Sequence, residues 1–133
     1  MAPPGGMPDE GEEDILDAIL ATTLVLRLFK NNFSPANSSV LSDFTEADFT
    51  GYSSVSLTGG SWTTTQGAPS TATYAQQAFT GTGTAQTVYG YYITRTSSGR
   101  VWYYQRFTTP ISVGSSTPVL RISPALSLKD SVD

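Results

Sequence analysis

Three carboxylates near the middle of the chain are the residues with the clearest potential for chemistry. Asp43, Glu46 and Asp48 lie at positions i, i+3 and i+5, and every other Asp or Glu lies close to one of the two termini. Paired carboxylates can hydrolyse glycosidic bonds, and clustered carboxylate oxygens can bind calcium. A second interpretation is structural: Asp43 or Thr45 caps a short turn, and the other carboxylates are solvated. The sequence alone leaves both interpretations open.

The remaining inventory of reactive side chains is poor. The sequence contains no histidine and no cysteine, and Lys30 and Lys129 are its only lysines. A serine or threonine nucleophile needs a neighbouring base, and histidine is the commonest one. Thiolate catalysis, disulfides and zinc–thiolate sites are excluded by the lack of cysteine. Residues 81–84 (GTGT) are not a phosphate-binding loop, because no lysine follows them. The sequence therefore predicts a protein that is not an enzyme and that uses no cofactor.

Charge is distributed unevenly along the chain. Six acids lie between Asp9 and Asp17, whereas residues 51–127 contain four arginines and no acid. A nucleic-acid footprint needs a clustered basic stripe, so no nucleic-acid partner is predicted. The apolar run at 15–29 is interrupted by polar residues and is too short to span a bilayer, so no membrane partner is predicted. Charged residues make up only 14% of the chain, which predicts a surface dominated by hydroxyl groups.

An aromatic-rich hairpin at 88–107 is the element that organises the chain. Two runs of aromatic and β-branched residues flank the polar turn at 96–99, whose Ser-Ser-Gly suits a tight reversal. Strict alternation places Trp102 and Tyr104 on one face of the second strand, and Val101, Tyr103 and Phe107 on the other. A strand that is apolar on both faces is either central and covered twice, or exposes an aromatic face to a partner.

Short strands separated by turn signals predict an all-β fold, an antiparallel β-sandwich of jelly-roll-like form with seven or eight short strands. We divide the chain into a flexible, Pro- and Gly-rich N-terminal arm at 1–11, a sandwich domain at 12–128 and a C-terminal tail at 129–133. The sandwich domain begins with a short helix at 12–20. The further predicted strands are 22–29, 51–58 with a bulge at 53–54, 62–65, 70–79 and 118–123. Residues 40–48 are predicted either as one helical turn or as an extended loop held by Phe44 and Phe49.

The order of several short motifs resembles that of a known group of proteins. These motifs are LVLRLFKNNFSP at 24–35, DFTEADFTGY at 43–52, VYGYYI at 88–93 and WYYQRF at 102–107. Together they resemble small β-sandwich structural proteins of tailed bacteriophages, most closely the head decoration (cement) proteins, over about residues 15–128. The resemblance implies a virion component on the outer capsid surface, with no catalytic motif. A tail- or fibre-associated module that binds a receptor or carbohydrate is the alternative.

The resemblance implies two partners: the major capsid protein and copies of the chain itself in a homotrimer. The N-terminal arm is not part of the resemblance, but arms of this kind bind by becoming ordered on a partner. Deleting residues 1–11 is therefore expected to weaken capsid attachment while leaving the sandwich folded. The candidate partner-binding residues come from the arm, the apolar face of the helix and the hairpin: Pro3, Pro4, Met7, Ile15, Leu16, Ile19, Tyr92, Trp102 and Tyr104.

Overall fold

The computed structural model describes residues 6–128, which form one helix and nine strands. The helix is α1 (Asp9–Ile19), and the strands are β1 (Leu24–Phe29), β2 (Val55–Leu57), β3 (Thr63–Thr65), β4 (Ser70–Thr73), β5 (Gln77–Thr80), β6 (Gln86–Arg95), β7 (Val101–Val113), β8 (Val119–Ile122) and β9 (Ala125–Leu128). All strand pairs are antiparallel, in sheets ordered β2-β1-β6-β7, β3-β4-β9 and β5-β8. The prediction of an all-β, sandwich-like fold with one short helix is confirmed, although the strands outnumber the predicted seven or eight.

The two smaller sheets continue one another and form the second layer. Strand β4 pairs with β9 and β5 pairs with β8, and between these ladders the Tyr74 N–H donates to the Pro124 carbonyl at 2.9 Å. The pairing register changes by one residue at this point, as at a β-bulge. The single strand predicted at 70–79 is therefore two strands, and residues 125–128, for which no strand was predicted, form the additional strand β9.

The main core lies between the two layers. In β1, which confirms the strand predicted at 22–29, alternate residues Leu24, Leu26 and Leu28 are fully buried on one face. The second layer contributes residues such as Phe79 and Ile122 to the same cluster. Burial of one aliphatic side chain stabilises a fold by roughly 1.5–3 kcal/mol, so this cluster is the main favourable term in folding.

Helix α1 packs against β3, β4 and β9 and closes the second layer. It begins at Asp9, three residues before the predicted start, and the Pro8 carbonyl accepts a hydrogen bond from the Glu12 N–H at 3.0 Å. Acidic residues in its first turn interact favourably with the positive end of the helix dipole. Residues 9–11, which we assigned to the arm, therefore belong to the helix; residues 1–5 and the predicted tail at 129–133 lie outside the described residues.

The predicted hairpin is formed by β6 and β7 and turns at Gly99, which has a φ of +70°. The sheet order places β6 in the centre and β7 at the edge, so the second arm of the hairpin is not a central strand. A register shift beside Thr94 also changes the assignment of faces. Because of the extra residue, Trp102 packs with Tyr103 against the main core, while Tyr104 packs on the opposite side of the sheet. The predicted grouping of Trp102 with Tyr104 is wrong for this reason.

A second irregularity interrupts the same edge strand. Val88 pairs with Ile111 and Gly90 pairs with Arg106, so residues 107–110 of β7 lie opposite the single residue Tyr89. Proline at position 110 cannot donate a backbone hydrogen bond. Such bulges and prolines protect an exposed edge from pairing with another sheet.

The strand predicted at 51–58 is much shorter than expected. Only Val55–Leu57 pairs with β1, because the chain turns at Gly51, whose φ of +96° is unfavourable for other residues. The predicted bulge at 53–54 is wrong, because both residues precede β2 and belong to no strand. Tyr52 instead stacks on Phe79 at a centroid distance of 5.9 Å and packs against the main core.

Replacing Gly90 and Gly11 by alanine tests the packing of the four-stranded sheet and of the helix. A Cβ atom at Gly90 would collide with the Gln105 carbonyl oxygen and would lie 2.6 Å from the Phe29 ring, whereas at Gly11, inside α1, the closest atom would be 3.4 Å away. We expect Gly90→Ala to lower the free energy of unfolding by about 1–3 kcal/mol through overpacking. Gly11→Ala should raise it by up to about 1 kcal/mol, because alanine favours the helix. Urea denaturation of both variants measures these changes, and equal stability of Gly90→Ala and the parent would contradict this account of the packing.

Candidate functional site

The loop between β1 and β2 covers the face of the four-stranded sheet that points away from the main core. Phe29, Phe44 and Tyr92 are buried together there, forming what we call the outer cluster. The Phe44 ring stacks on Tyr92 at a centroid distance of 4.5 Å and meets Phe29 and Phe33 edge-on at 5.4 and 5.0 Å. Aromatic pairs with these geometries contribute about 0.5–1.5 kcal/mol each beyond their burial. The sheet is consequently covered on both sides.

An ion pair fastens this loop to β1. Arg27 Nη1 donates to both carboxylate oxygens of Glu46, at 2.9 and 3.0 Å, and Arg27 Nε donates to Thr94 Oγ1 at 3.2 Å. The Tyr52 hydroxyl donates to Glu46 Oε2 at 2.6 Å and accepts from the Leu28 N–H at 3.2 Å. Burial, and then the hydrogen bond to Glu46, raise the pKa of Tyr52 well above its usual value. Tyr52 thus remains a proton donor to Glu46 at neutral pH.

The other two carboxylates of the predicted cluster have separate structural roles. Asp43 Oδ2 accepts from the Val40 N–H at 2.9 Å and stabilises the 3₁₀ turn at Leu41–Asp43. Asp48 Oδ1 accepts from Lys30 Nζ at 2.8 Å and from Gln86 Nε2 at 2.7 Å. Capping by Asp43 is therefore confirmed, but Glu46 is paired with Arg27 instead of being solvated. Among residues 6–128, no group of three or more potential ligands could hold a metal ion.

A groove runs between this loop and the β6–β7 turn. Its outer part has a volume of about 720 Å³ and is lined by Ser39, Val40, Leu41, Ser42, Ser98, Gly99, Arg100 and Val101. Its inner part has a volume of about 300 Å³ and is lined by Arg27, Leu41, Phe44, Glu46, Tyr92, Thr94 and Gly99. The two parts share Leu41 and Gly99, so we treat them as one feature, the hairpin groove. Val40 and Leu41 are 57% and 43% exposed, which gives its mouth an unusually apolar rim.

The floor of the hairpin groove contains one polar group without a partner. Tyr92 as a whole is only 2% exposed and its hydroxyl makes no hydrogen bond within residues 6–128, but the one buried side-chain polar atom without a partner there is Trp62 Nε1, so the Tyr92 hydroxyl oxygen keeps some access to the groove. Burial raises the pKa of Tyr92 to about 12, so the hydroxyl is protonated at neutral pH. A phenol in this position can donate a hydrogen bond to an acceptor that enters the groove.

A second surface feature lies on α1. Glu10, Glu13, Asp14 and Asp17 line a shallow depression there, together with Pro8, Gly11 and Gln66. Gln66 donates to Glu13 at 3.3 Å and Thr64 donates to Asp17 at 2.8 Å, but these four carboxylates form no ion pair within residues 6–128. We call this surface the acidic face. Its negative charge is left uncompensated by the described part of the chain.

The structure does not bring the predicted partner-binding residues together at one site. Leu16 and Tyr92 are buried by their own chain, which corrects their prediction as partner contacts. Ile19 and Trp102 are partly buried against the main core, and Tyr104 is partly buried against the outer cluster.

Two of the remaining predicted residues stay accessible. Ile15 is 41% exposed beside the acidic face, and Met7 is partly exposed. Pro3 and Pro4 lie outside the described residues. Val40, Leu41 and Arg100 at the mouth of the groove were not predicted, and neither were the exposed Ile111 and Val119. The only sequence signal for the groove residues is a pair of adjacent aliphatic residues within the polar segment 37–43.

Comparison with known proteins gives no relative for this fold and groove: no protein-family model, curated protein or solved structure matches the chain. Within residues 6–128, no helix has the length and apolar character needed to cross a membrane.

Removing the Phe44 ring tests the role of the outer cluster. We expect Phe44→Ala to lower the free energy of unfolding by about 3 kcal/mol or more, because it leaves a cavity among three aromatic rings. Leu41→Ala is the matched control, since its exposed side chain should change stability by no more than about 0.5 kcal/mol. Guanidinium denaturation measures both variants. Similar stabilities for the two would show that the outer cluster does not hold the loop on the sheet.

The Lys30–Asp48 ion pair should lower the pKa of the Asp48 carboxyl group, which can be measured. The hydrogen bond from Lys30, and then that from Gln86, hold the pKa of Asp48 below the ordinary value of 3.8. The pair therefore stabilises the fold above that pH, and its contribution is lost as the pH falls through the lowered pKa. In Lys30→Met, an NMR titration should show the pKa of Asp48 rising towards 3.8. Arg121→Met, which removes a cation from β8, should leave the pKa of Asp48 where it is in the parent; a parent pKa at or above 3.8 would contradict the assignment.

Proposed function

We propose that this chain is a virion structural protein, a decoration or cement protein that binds the major capsid protein and neighbouring copies of itself on the outer capsid surface. One observation carries the proposal: a small, double-layered β body presents two separate contact surfaces of opposite character. These are the acidic face of α1 and the apolar-rimmed hairpin groove with Arg100. A lattice component must contact the shell and its own neighbours at the same time, which requires more than one such surface.

The arrangement of the polar side chains also favours a structural role. Glu46 and Asp48, which could have served as a catalytic pair, are each engaged by a cation that holds the loop. The resemblance of the chain to phage decoration proteins agrees with this role. Repeated copies on a lattice bind with avidity, so each individual contact can be weak.

The alternative of a carbohydrate-binding module required an outward aromatic platform on the hairpin. Tyr92 is buried, and Trp102 and Tyr104 are partly covered by the two apolar clusters. Stacking on sugars needs an accessible ring face, so the decoration role is the better supported of the two.

The location of the chain in assembled particles tests the proposal. In particles of the phage that encodes it, we expect the chain to form a regular array on the outer shell, visible by cryo-electron microscopy and identifiable by mass spectrometry. Particles made without its gene should lose this array and should release their genome at a lower temperature. Purified particles that lack the chain, or that carry it only on the tail, would overturn the proposal.

The N-terminal arm offers a sharper second measurement. Deleting residues 1–6 retains Pro8, whose carbonyl accepts the Glu12 N–H at the start of α1. When added to particles that lack the chain, this truncated protein should reach lower occupancy than the full chain, while circular dichroism shows the same folded β signal. Equal occupancy would show that the arm does not contribute to attachment.

A further inference from the structure

We infer that copies of this chain bind one another head to tail, with α1 of one copy lying in the hairpin groove of the next. The two surfaces differ in shape and charge, so each copy would use one surface on either side. This contact involves only copies of the chain, and it can be tested in solution without any capsid. Its failure is therefore distinguishable from failure of the proposed decoration role.

The apolar parts of the two surfaces match. Ile15 is 41% exposed on the flank of α1, next to the small residues Gly11 and Ala18 on the same side of the helix. Val40 and Leu41 are the corresponding exposed aliphatic residues at the mouth of the groove. An aliphatic knob flanked by small residues allows close approach to such a rim. Burying these side chains against each other removes apolar surface from water.

The charges of the two surfaces also match. Arg100 lines the groove beside the β6–β7 turn, and its guanidinium has no ion pair within residues 6–128, whereas Arg95 lies over the Trp102 ring at 5.6 Å and is not among the lining residues. Glu10 and Asp14 on the acidic face are likewise unpaired within that part of the chain. Opposite unpaired charges steer two surfaces together and fix their orientation.

Glu46 is the one acidic residue in the lining of the groove, and Asp43 lies outside that lining. Glu46 is held by Arg27 at 2.9 Å. Asp43 belongs to the neighbouring turn, where its carboxylate accepts the Val40 N–H at 2.9 Å. The rim contributed by Arg100 therefore keeps a positive charge available to a partner. The Tyr92 hydroxyl on the groove floor can donate a hydrogen bond to a carboxylate that enters the groove.

A contact between two different surfaces is heterologous, so it closes into a ring when the rotation between copies allows and otherwise extends as a chain. The protected edge of β7 argues against the competing possibility of pairing edge strands, because residues 107–110 interrupt its ladder. The proposed contact therefore uses side chains of α1 and the groove instead of backbone pairing along β7.

Charge exchange tests this contact. Sedimentation velocity at up to about 100 µM protein should show oligomers of the full chain, and Arg100→Glu or Asp14→Arg should each weaken association by at least about tenfold. The double variant Arg100→Glu/Asp14→Arg should recover oligomers, because the two charges are again opposite. Arg121→Glu, which reverses a charge on β8 outside the groove, is the matched control and should associate like the parent.

Circular dichroism verifies that each variant is folded, and an unfolded Asp14→Arg variant is replaced by Asp14→Lys in both the single and the double variant. A parent chain that stays monomeric throughout the concentration range would overturn the inference. It would also be overturned if Arg100→Glu associates like the parent, or if the double variant remains as dissociated as the single ones.

Discussion

Coverage of β6 on both faces is the constraint on which the rest of the structure depends. From Val88 to Thr94 this central strand is buried at almost every position, so the sheet cannot leave either face in water. The second layer and α1 cover one face, and the loop after β1 covers the other through Phe44. A backbone bridge joins this loop to the end of β1, with the Lys30 N–H donating to the Thr45 carbonyl at 2.8 Å and the Ala47 N–H to the Leu28 carbonyl at 2.9 Å, and the entropy lost in ordering the loop must also be offset by side-chain contacts. The Arg27–Glu46 pair and the outer cluster supply them.

The same constraint determines which partners Asp43, Glu46 and Asp48 contact. Carboxylates at i, i+3 and i+5 resemble a metal or catalytic cluster only while the chain is treated as a continuous loop. Once Phe44 turns into the outer cluster, Asp43 is left on one side of it at the turn, and Glu46 meets β1 on the other. Their separation is a consequence of fastening one loop at several points. This explains why each acid has a different partner.

The sequence was most informative where one local pattern dominated. Alternation in β1 and the polar turn before Gly99 predicted the layer and the hairpin, because burial and turn geometry are local in sequence. Local patterns could not reveal the bulge that moves Trp102 to the main core, since a register shift depends on the partner strand. The hairpin groove is even harder to predict from local sequence patterns. It arises only when the Val40–Leu41 pair is brought beside Arg100, about sixty residues later in the chain.

The distribution of charge follows from this architecture and bears on how the molecule meets others. All the acids of the N-terminal segment are placed on α1 over the second layer, whereas the arginines flanking the hairpin turn belong to the first layer. The Arg27–Glu46 and Lys30–Asp48 ion pairs both hold the loop, whereas Glu10, Asp14 and Arg100 form no ion pair within residues 6–128. Exposed unpaired charges contribute little to the stability of an isolated chain. In the proposed contact between copies, complementary charges would select one orientation, and the interrupted ladder of β7 disfavours backbone pairing along that edge.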